Sequence, residues 1–425
     1  MPDAGRLPRY PFAFRGDQLA PELAASVVHR PIQRVRTNTG TDAWLVTGHE
    51  LVRSVLRDRR FSLTLTSDPW MPRQDPLIPP LSVTDIRTQC ENAGLLQDLF
   101  QGVGPHQRYL TPGRVREIAD GLLDTFLAGE QPGDLMDGFI MPLSRALTME
   151  LLGLDPEGCP DNAEIFNIFR TGPESMQGVP ESWNLALTWM LGRLPGLRAS
   201  GAGLLGRLIT LSDASGVLNE EEVADLFVFL LISQFGNPAT FLGAATVGLM
   251  QHPEVTARLR KDPGLLPRAV DELLRWTVFL GDALPRNARE DVLLDGVLVR
   301  EGDLVLVSTD AANRDPRVFP DPHRLDIDRE PGPHLRFSDG RHRCPGGPVS
   351  RMQAAETLRV LLGRTADLHL AVPADEIEWH RYYAVTLPVA VPVNWTLPGA
   401  ATPGTGDGKP RGAAVPRPDG GTLTP

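Results

Sequence analysis

The longest apolar stretch of the chain runs from Leu226 to Met250, 25 consecutive residues without a charge. A run of this length is enough to span a bilayer, but Gln234, Asn237 and Pro238 interrupt its middle. The pattern predicts a long helix buried in the core of a large protein and polar where it passes a ligand. Glu220, Glu221, Glu222 and Asp225 stand where the positive end of that helix would favour them. Pro238 falls in its interior, removes a backbone hydrogen bond and predicts a kink. A second helical run follows Cys344, and Glu272 and Arg275 stand at i and i+3 on one helical face. Residues 61 to 104, rich in Pro and Leu, read as a loop, and residues 398–425, rich in Gly, Pro and Thr, as a disordered tail. No Gly/Ser linker or charge run divides residues 10 to 395, so one large, mainly helical domain is expected over residues 1–397.

Composition narrows the function classes. The net charge of -11 argues against a nucleic-acid partner. Cys90, Cys159 and Cys344 are too few and too scattered for a disulfide framework, which suits a reducing, cytoplasmic setting. The first ten residues carry no apolar signal segment, and no membrane association is expected.

The chemistry concentrates around Cys344. It lies two residues after His342, between Gly340 and Gly346, with Arg341 and Arg343 beside it. A thiolate in so electropositive a setting stays ionised and binds soft or borderline metals. A structural cysteine in a turn is the alternative. The bracketing glycines let the backbone approach a ligand closely, and the cations suit carboxylates. With no second Cys or His at zinc spacing, a structural zinc site is not expected. One thiolate with carboxylate-binding cations describes a haem, which brings its own equatorial nitrogens and two propionates.

The segment Phe337, Gly340, His342, Cys344, Gly346 resembles the haem-binding loop of the cytochrome P-450 superfamily. Glu272 and Arg275 are similar to that family's paired Glu and Arg, Pro285-Arg286 to the segment whose Arg reaches a haem propionate, and the stretch from Asn313 to Arg324 to the loop whose last Arg closes a charge network. Residues from Ala43 and from Val52 to Phe61 resemble the N-terminal strand and helix of soluble bacterial members. The likeness covers roughly residues 10 to 395. It implies a mainly α fold with small β-sheets, with haem b held between a long distal helix and a proximal Cys loop and helix. It also implies Cys344 as iron ligand, Arg286 and His342 on the propionates, and Glu272, Arg275 and Arg324 as a buried structural network.

The chain departs from the family at informative places. The distal helix usually offers an acid and an alcohol that relay protons to dioxygen; aligned on Gly236, those positions are Pro238 and Ala239. Asn237 and Thr240 remain as candidate catalytic residues, through a displaced hydroxyl or a bound water, with Phe235, Gly236 and Ala239 lining the pocket. Ser233 to Phe241 is similar, with one residue fewer, to the corresponding helix of the cholesterol 7α-hydroxylase and prostacyclin synthase branch, whose members either hydroxylate with dioxygen or rearrange a peroxide. Pro345 has no N–H to donate to the sulfur, which predicts a more negative reduction potential than in Pro345→Ala; equal potentials in a spectroelectrochemical titration would dismiss this. Ahead of Thr111-Pro112, the register that usually supplies propionate ligands holds Leu99 and Val103, with His106 and Arg108 as substitutes.

The expected function is a monooxygenase that inserts one oxygen atom of O₂ into a small organic substrate of bacterial secondary metabolism. Electrons would come from a separate ferredoxin and its reductase, for which Arg341, Arg343, Arg351 and Arg359 offer a basic face. Two alternatives stay open: a peroxide-dependent oxygenase, isomerase or dehydratase of the same fold, and a haem-binding protein without turnover.

Overall fold

A long apolar helix must hide its surface, and here it becomes the centre around which the other helices pack. The computed structural model describes residues 7–12, 16, 18–63, 71–72, 108–168, 175–280, 283–380 and 385–399. Five helices position the site: α1 (Pro112–Leu127), α2 (Met141–Leu152), α3 (Glu220–Met250), α4 (Leu266–Trp276) and α5 (Gly347–Arg364). In α3, Asn219 caps the N-terminus by accepting from the Glu222 amide at 2.9 Å, while Glu222 accepts from the Asn219 amide at 2.8 Å. This reciprocal pair satisfies donors that a helix start leaves open. The helix continues through Pro238, and 78% of its most apolar window is buried inside the protein, which makes it a core helix rather than a span.

The largest core cluster joins α1 to α5 through side chains such as Leu123, Leu143, Phe227, Leu273 and Leu358. A six-stranded sheet runs, in spatial order, Arg9–Tyr10, Ile32–Thr37, Asp42–Val46, Leu304–Val307, Leu284–Ala288 and Phe61–Ser62. Its central strands are buried on both faces: Leu304 and Leu306 join one apolar cluster, Val305 and Val307 another, as the two-residue period of a strand requires. Arg286 lies in this sheet opposite Val305 and is buried. A smaller sheet pairs Asp367–Leu370, Pro392–Thr396 and Gly133–Asp134. The expected strand at Ala43 and helix from Val52 are present as Asp42–Val46 and His49–Arg57. The expected tail falls outside the described residues from position 400 onward.

Candidate active site

The loop that carries Cys344 is held from both ends before the cysteine is reached. Buried Arg336 donates to the Leu274 carbonyl at 2.7 Å, to Asp310 Oδ1 at 2.9 Å and to the Thr277 carbonyl. Burial drags its pKa down and Asp310 opposes the shift. Asp339 accepts from Arg53 Nε and Arg57 Nε, both at 3.0 Å, and from the Gly340 amide at 2.8 Å, which ties the loop to helix His49–Arg57. Burial pushes the Asp339 carboxyl up, but these donors outweigh it and hold the group below the usual carboxylate value. Gly340 has a φ of +71°, and a Cβ there would stand 2.6 Å from the Leu56 carbonyl oxygen. Only glycine meets both demands. The Cys344 amide then donates to the Phe337 carbonyl at 2.8 Å, closing the loop, and α5 starts three residues on.

Beneath the loop, the charge network differs from the expected one in a single member. Glu272 binds Arg275 through two bonds of 2.7 Å, and Arg275 also donates to the carbonyls of Asn313, Pro322 and Arg324. The second cation on Glu272 is Arg329, whose Nε reaches Oε1 at 3.2 Å; the Asp326 amide donates to the same oxygen at 3.0 Å. Arg324 contributes its backbone carbonyl, and its side chain is exposed. The correction follows from the geometry of the loop, whose turn brings the Asp326 amide and the Arg329 side chain back to the carboxylate.

Cys344 opens on a cavity of about 350 Å³. Arg286, His342, Phe337 and Gly346 line it, as expected. From α3 the lining residues are Leu226, Phe229, Leu230, Ser233, Gln234, Asn237, Pro238, Phe241 and Leu242. Their spacing of three and four residues marks one helical face. Asn237 lies on that face; Phe235, Gly236, Ala239 and Thr240 do not line the cavity. Phe235 packs against Phe166 with ring centroids 5.2 Å apart, and Ala239 and Thr240 are fully buried in the helix packing. The pocket assignment of Phe235, Gly236 and Ala239, and with it the candidate catalytic hydroxyl of Thr240, is therefore corrected: helical phase turns them away from the cavity. Counting back from Asn237 by three and four residues would have found Gln234 and Ser233 in the sequence. Gln353 and Ser144, from α5 and α2, also line the cavity and carry no motif.

The residues present fit a haem. A methyl group at Gly346 would lie 3.7 Å from the Cys344 sulfur and 3.3 Å from Gln234 Nε2, so a glycine keeps the wall beside the sulfur open. Arg336, Ser338 and Ser350 add further polar positions, the remaining walls are Leu, Phe, Pro and Ala side chains suited to a flat apolar ring, and Arg286 and His342 offer hydrogen-bond donors for its two carboxylates. Leu63 also lines the cavity, at the start of the loop expected to face substrate, while Leu99, Val103 and His106 lie outside the described residues. Arg108 is exposed. Of the expected basic face, Arg341 and Arg343 are exposed, whereas Arg351 bonds Asp271 at 2.6 Å and stacks on Phe337 at 4.6 Å, and Arg359 bonds Glu356 at 3.2 Å.

Comparison with known proteins gives one family. The cytochrome P450 family model matches residues 242–364. The chain is 33% identical over 394 residues to the mycocyclosin synthase of Mycobacterium tuberculosis, covering 91% of this chain and 98% of that protein. It is 34% identical over 394 residues to the mycinamicin IV hydroxylase/epoxidase of Micromonospora griseorubida, with the same coverage of 91% and 98%. The solved structure of the LnmA cytochrome P450 hydroxylase from the leinamycin pathway of Streptomyces atroolivaceus superposes with a TM-score of 0.78 at 32% identity, over 92% of this chain and all of that one (100%).

Proposed function

Because the chain belongs to the cytochrome P450 family and is a haem-thiolate monooxygenase, we propose that it inserts one oxygen atom of O₂ into a small, largely apolar metabolite. The second oxygen atom leaves as water, at the expense of two electrons and two protons. The observation that carries this reading is the sulfur of Cys344, set in an anchored loop and opening on a cavity lined by Arg286, Arg336 and His342 between largely apolar walls.

A bound haem, haem b in this proposal, would supply the iron on which dioxygen is activated. The protein's own residues do the rest. Cys344 would ligate the iron, and the ties of Asp339, of Arg336 and of the Leu335 amide, which donates to Asn313 Oδ1 at 2.6 Å, fix where its sulfur points. Arg286 and His342 would hold the propionates, and the network of Glu272, Arg275 and Arg329 braces the loop from below. Phe229, Phe241, Phe279 and Leu280 exclude water from the substrate's side, and Asn237 offers it an amide. Residues 1–397 form the haem-thiolate domain in this reading. Electrons come from a separate ferredoxin and reductase docking near Arg341 and Arg343, and the enzyme works in the cytoplasm on a secondary metabolite.

Reduction under carbon monoxide tests the core of this assignment: the unmodified protein shows the strongly red-shifted thiolate band and Cys344→Ser does not. A band that survives the serine replacement removes Cys344 as ligand. Screening candidate substrates for a spin-state shift of the ferric Soret band identifies the ligand class.

A peroxide-driven reaction is the second reading. It is favoured by one observation: among the described cavity-lining residues there is no Asp or Glu. Conversion with hydrogen peroxide alone, and none with NAD(P)H, ferredoxin and reductase, selects it.

A further inference from the structure

Residues 277–280, which follow α4, belong to no helix or strand, yet Phe279 and Leu280 line the cavity. Outside a helix or sheet, their backbone groups must find partners elsewhere. Both amides find one buried side chain: Asp310 Oδ2 accepts from Phe279 at 3.0 Å and from Leu280 at 2.8 Å. The other oxygen, Oδ1, accepts from Arg336 Nη1 at 2.9 Å, and both side chains of this pair are 3% exposed. Arg336 holds the same turn a second time. It donates to the Thr277 carbonyl and, from Nε, to the Leu274 carbonyl at 2.7 Å, and its guanidinium lies 4.8 Å above the centre of the Phe279 ring.

A buried ion pair is a costly fastening, because the attraction repays the desolvation of two charges only when further hydrogen bonds use their remaining donors and acceptors. Here the further bonds go to the end of α4 and to the turn after it. The pair also reaches the other side of the cavity. Arg336 is followed by Phe337, whose carbonyl accepts from the Cys344 amide at 2.8 Å. Asp310 stands in the short helix Thr309–Ala312, so its carboxylate approaches the turn from a rigid element. The Phe279 carbonyl in turn accepts from the Thr386 amide at 2.7 Å. One charge pair thus connects an apolar wall of the cavity to the loop that carries the sulfur.

We propose that the Asp310 and Arg336 pair determines specificity: it sets where Phe279 and Leu280 stand relative to Cys344, and so how large an apolar group of the substrate the cavity takes. The proposal rests on the haem-thiolate reading above. Asp310 and Arg336 are positioning residues. They act through the backbone of the turn and the ring of Phe279, and the group they size is apolar because Phe279 and Leu280 are the side chains presented to it.

Two probes that bind haem iron through a ring nitrogen test this: imidazole, and 4-phenylimidazole, which adds one apolar ring. Their dissociation constants are read from the Soret shift of the ferric protein. The double variant Asp310→Leu with Arg336→Met removes both charges together, so neither is stranded in the interior, and it takes the acceptor away from the two amides. In that variant 4-phenylimidazole is expected to bind about fivefold more weakly or worse, while imidazole changes by less than about twofold. A merely structural role lowers haem content or stability and leaves the ratio of the two constants where it was. Asp310→Asn, nearly unchanged in size, is the milder variant and shifts the ratio in the same direction. A ratio within about twofold of the unmodified protein's in haem-loaded samples of both variants overturns the proposal, as does a crystal structure of the double variant with Phe279 in its present place. Failure of the haem-thiolate reading looks different: the unmodified protein then gives no Soret shift even with imidazole, and the proposal falls with it.

Discussion

The two walls of the cavity are built on opposite principles. On the cysteine side, buried charges meet opposite charges: Glu272 with Arg275 and Arg329, Arg336 with Asp310. On the side of α3, the polar groups facing the cavity are neutral, and Gln234 has a carbonyl oxygen without a partner. Paired charges hold a backbone in one place, since removing either partner strands the other in a low-dielectric interior. Unpaired neutral acceptors hold nothing by themselves and leave room for solvent or substrate. The first wall is scaffolding and the second is where chemistry can vary.

Removing the keystone of the scaffolding is the strongest way to test this contrast. Glu272→Ala leaves Arg275 buried without a carboxylate, costs about 3–5 kcal/mol and yields protein with little haem, measured as the ratio of Soret to protein absorbance. A fully loaded variant would erase the distinction between the walls. Exchanging the two arginines sharpens it: Arg329→Ala, which strips a bond from Glu272, destabilises by about 1–3 kcal/mol, whereas Arg324→Ala, which leaves its carbonyl in place, stays within about 0.5 kcal/mol in a denaturant titration.

On the α3 side the expected effects are smaller and local. Asn237→Leu, facing the cavity, changes the affinity of a spin-shifting ligand by about 1 kcal/mol, roughly fivefold. Thr240→Val, turned into the helix packing with an unpartnered hydroxyl, leaves both ligand affinity and stability unimpaired. The smallest effect comes with acid. The Asp339 carboxyl is held below its ordinary value, so its contribution is complete above an unfolded pKa of about 3.9 and fades as the pH falls through the folded value. Haem retention is therefore expected to be flat from neutral pH down to about 4 and to fall below it, with Asp339→Asn removing that acid-dependent part.

The contrast also explains what could be read from the sequence. The cysteine loop was legible because its chemistry is local: a thiol, flanking cations and glycines within ten residues specify what they bind. The core helix was legible from its apolar length, and its N-terminus from its acids. The cavity-facing side of α3 was misread because Phe235, Ala239 and Thr240 were chosen by alignment on Gly236, whereas helical phase around Asn237 decides which side chains face inward. Arg329 was missed for a related reason. A loop's return path is not written in spacing, so the cation that reaches Glu272 is five residues past the one expected. Ser144 and Gln353 carry no local signal at all; only the packing of three helices brings them to one space.

At Gly340 the absent side chain acts as a gauge. With the Leu56 carbonyl so close to where a methyl would sit, the distance between the sulfur-bearing turn and the helix behind it is set by the thickness of a hydrogen atom. Anyone reshaping this enzyme for new substrates can redraw the opposite wall freely, but a single added carbon at position 340 would lift the metal's anchor away from its support and shift the reactive centre with it.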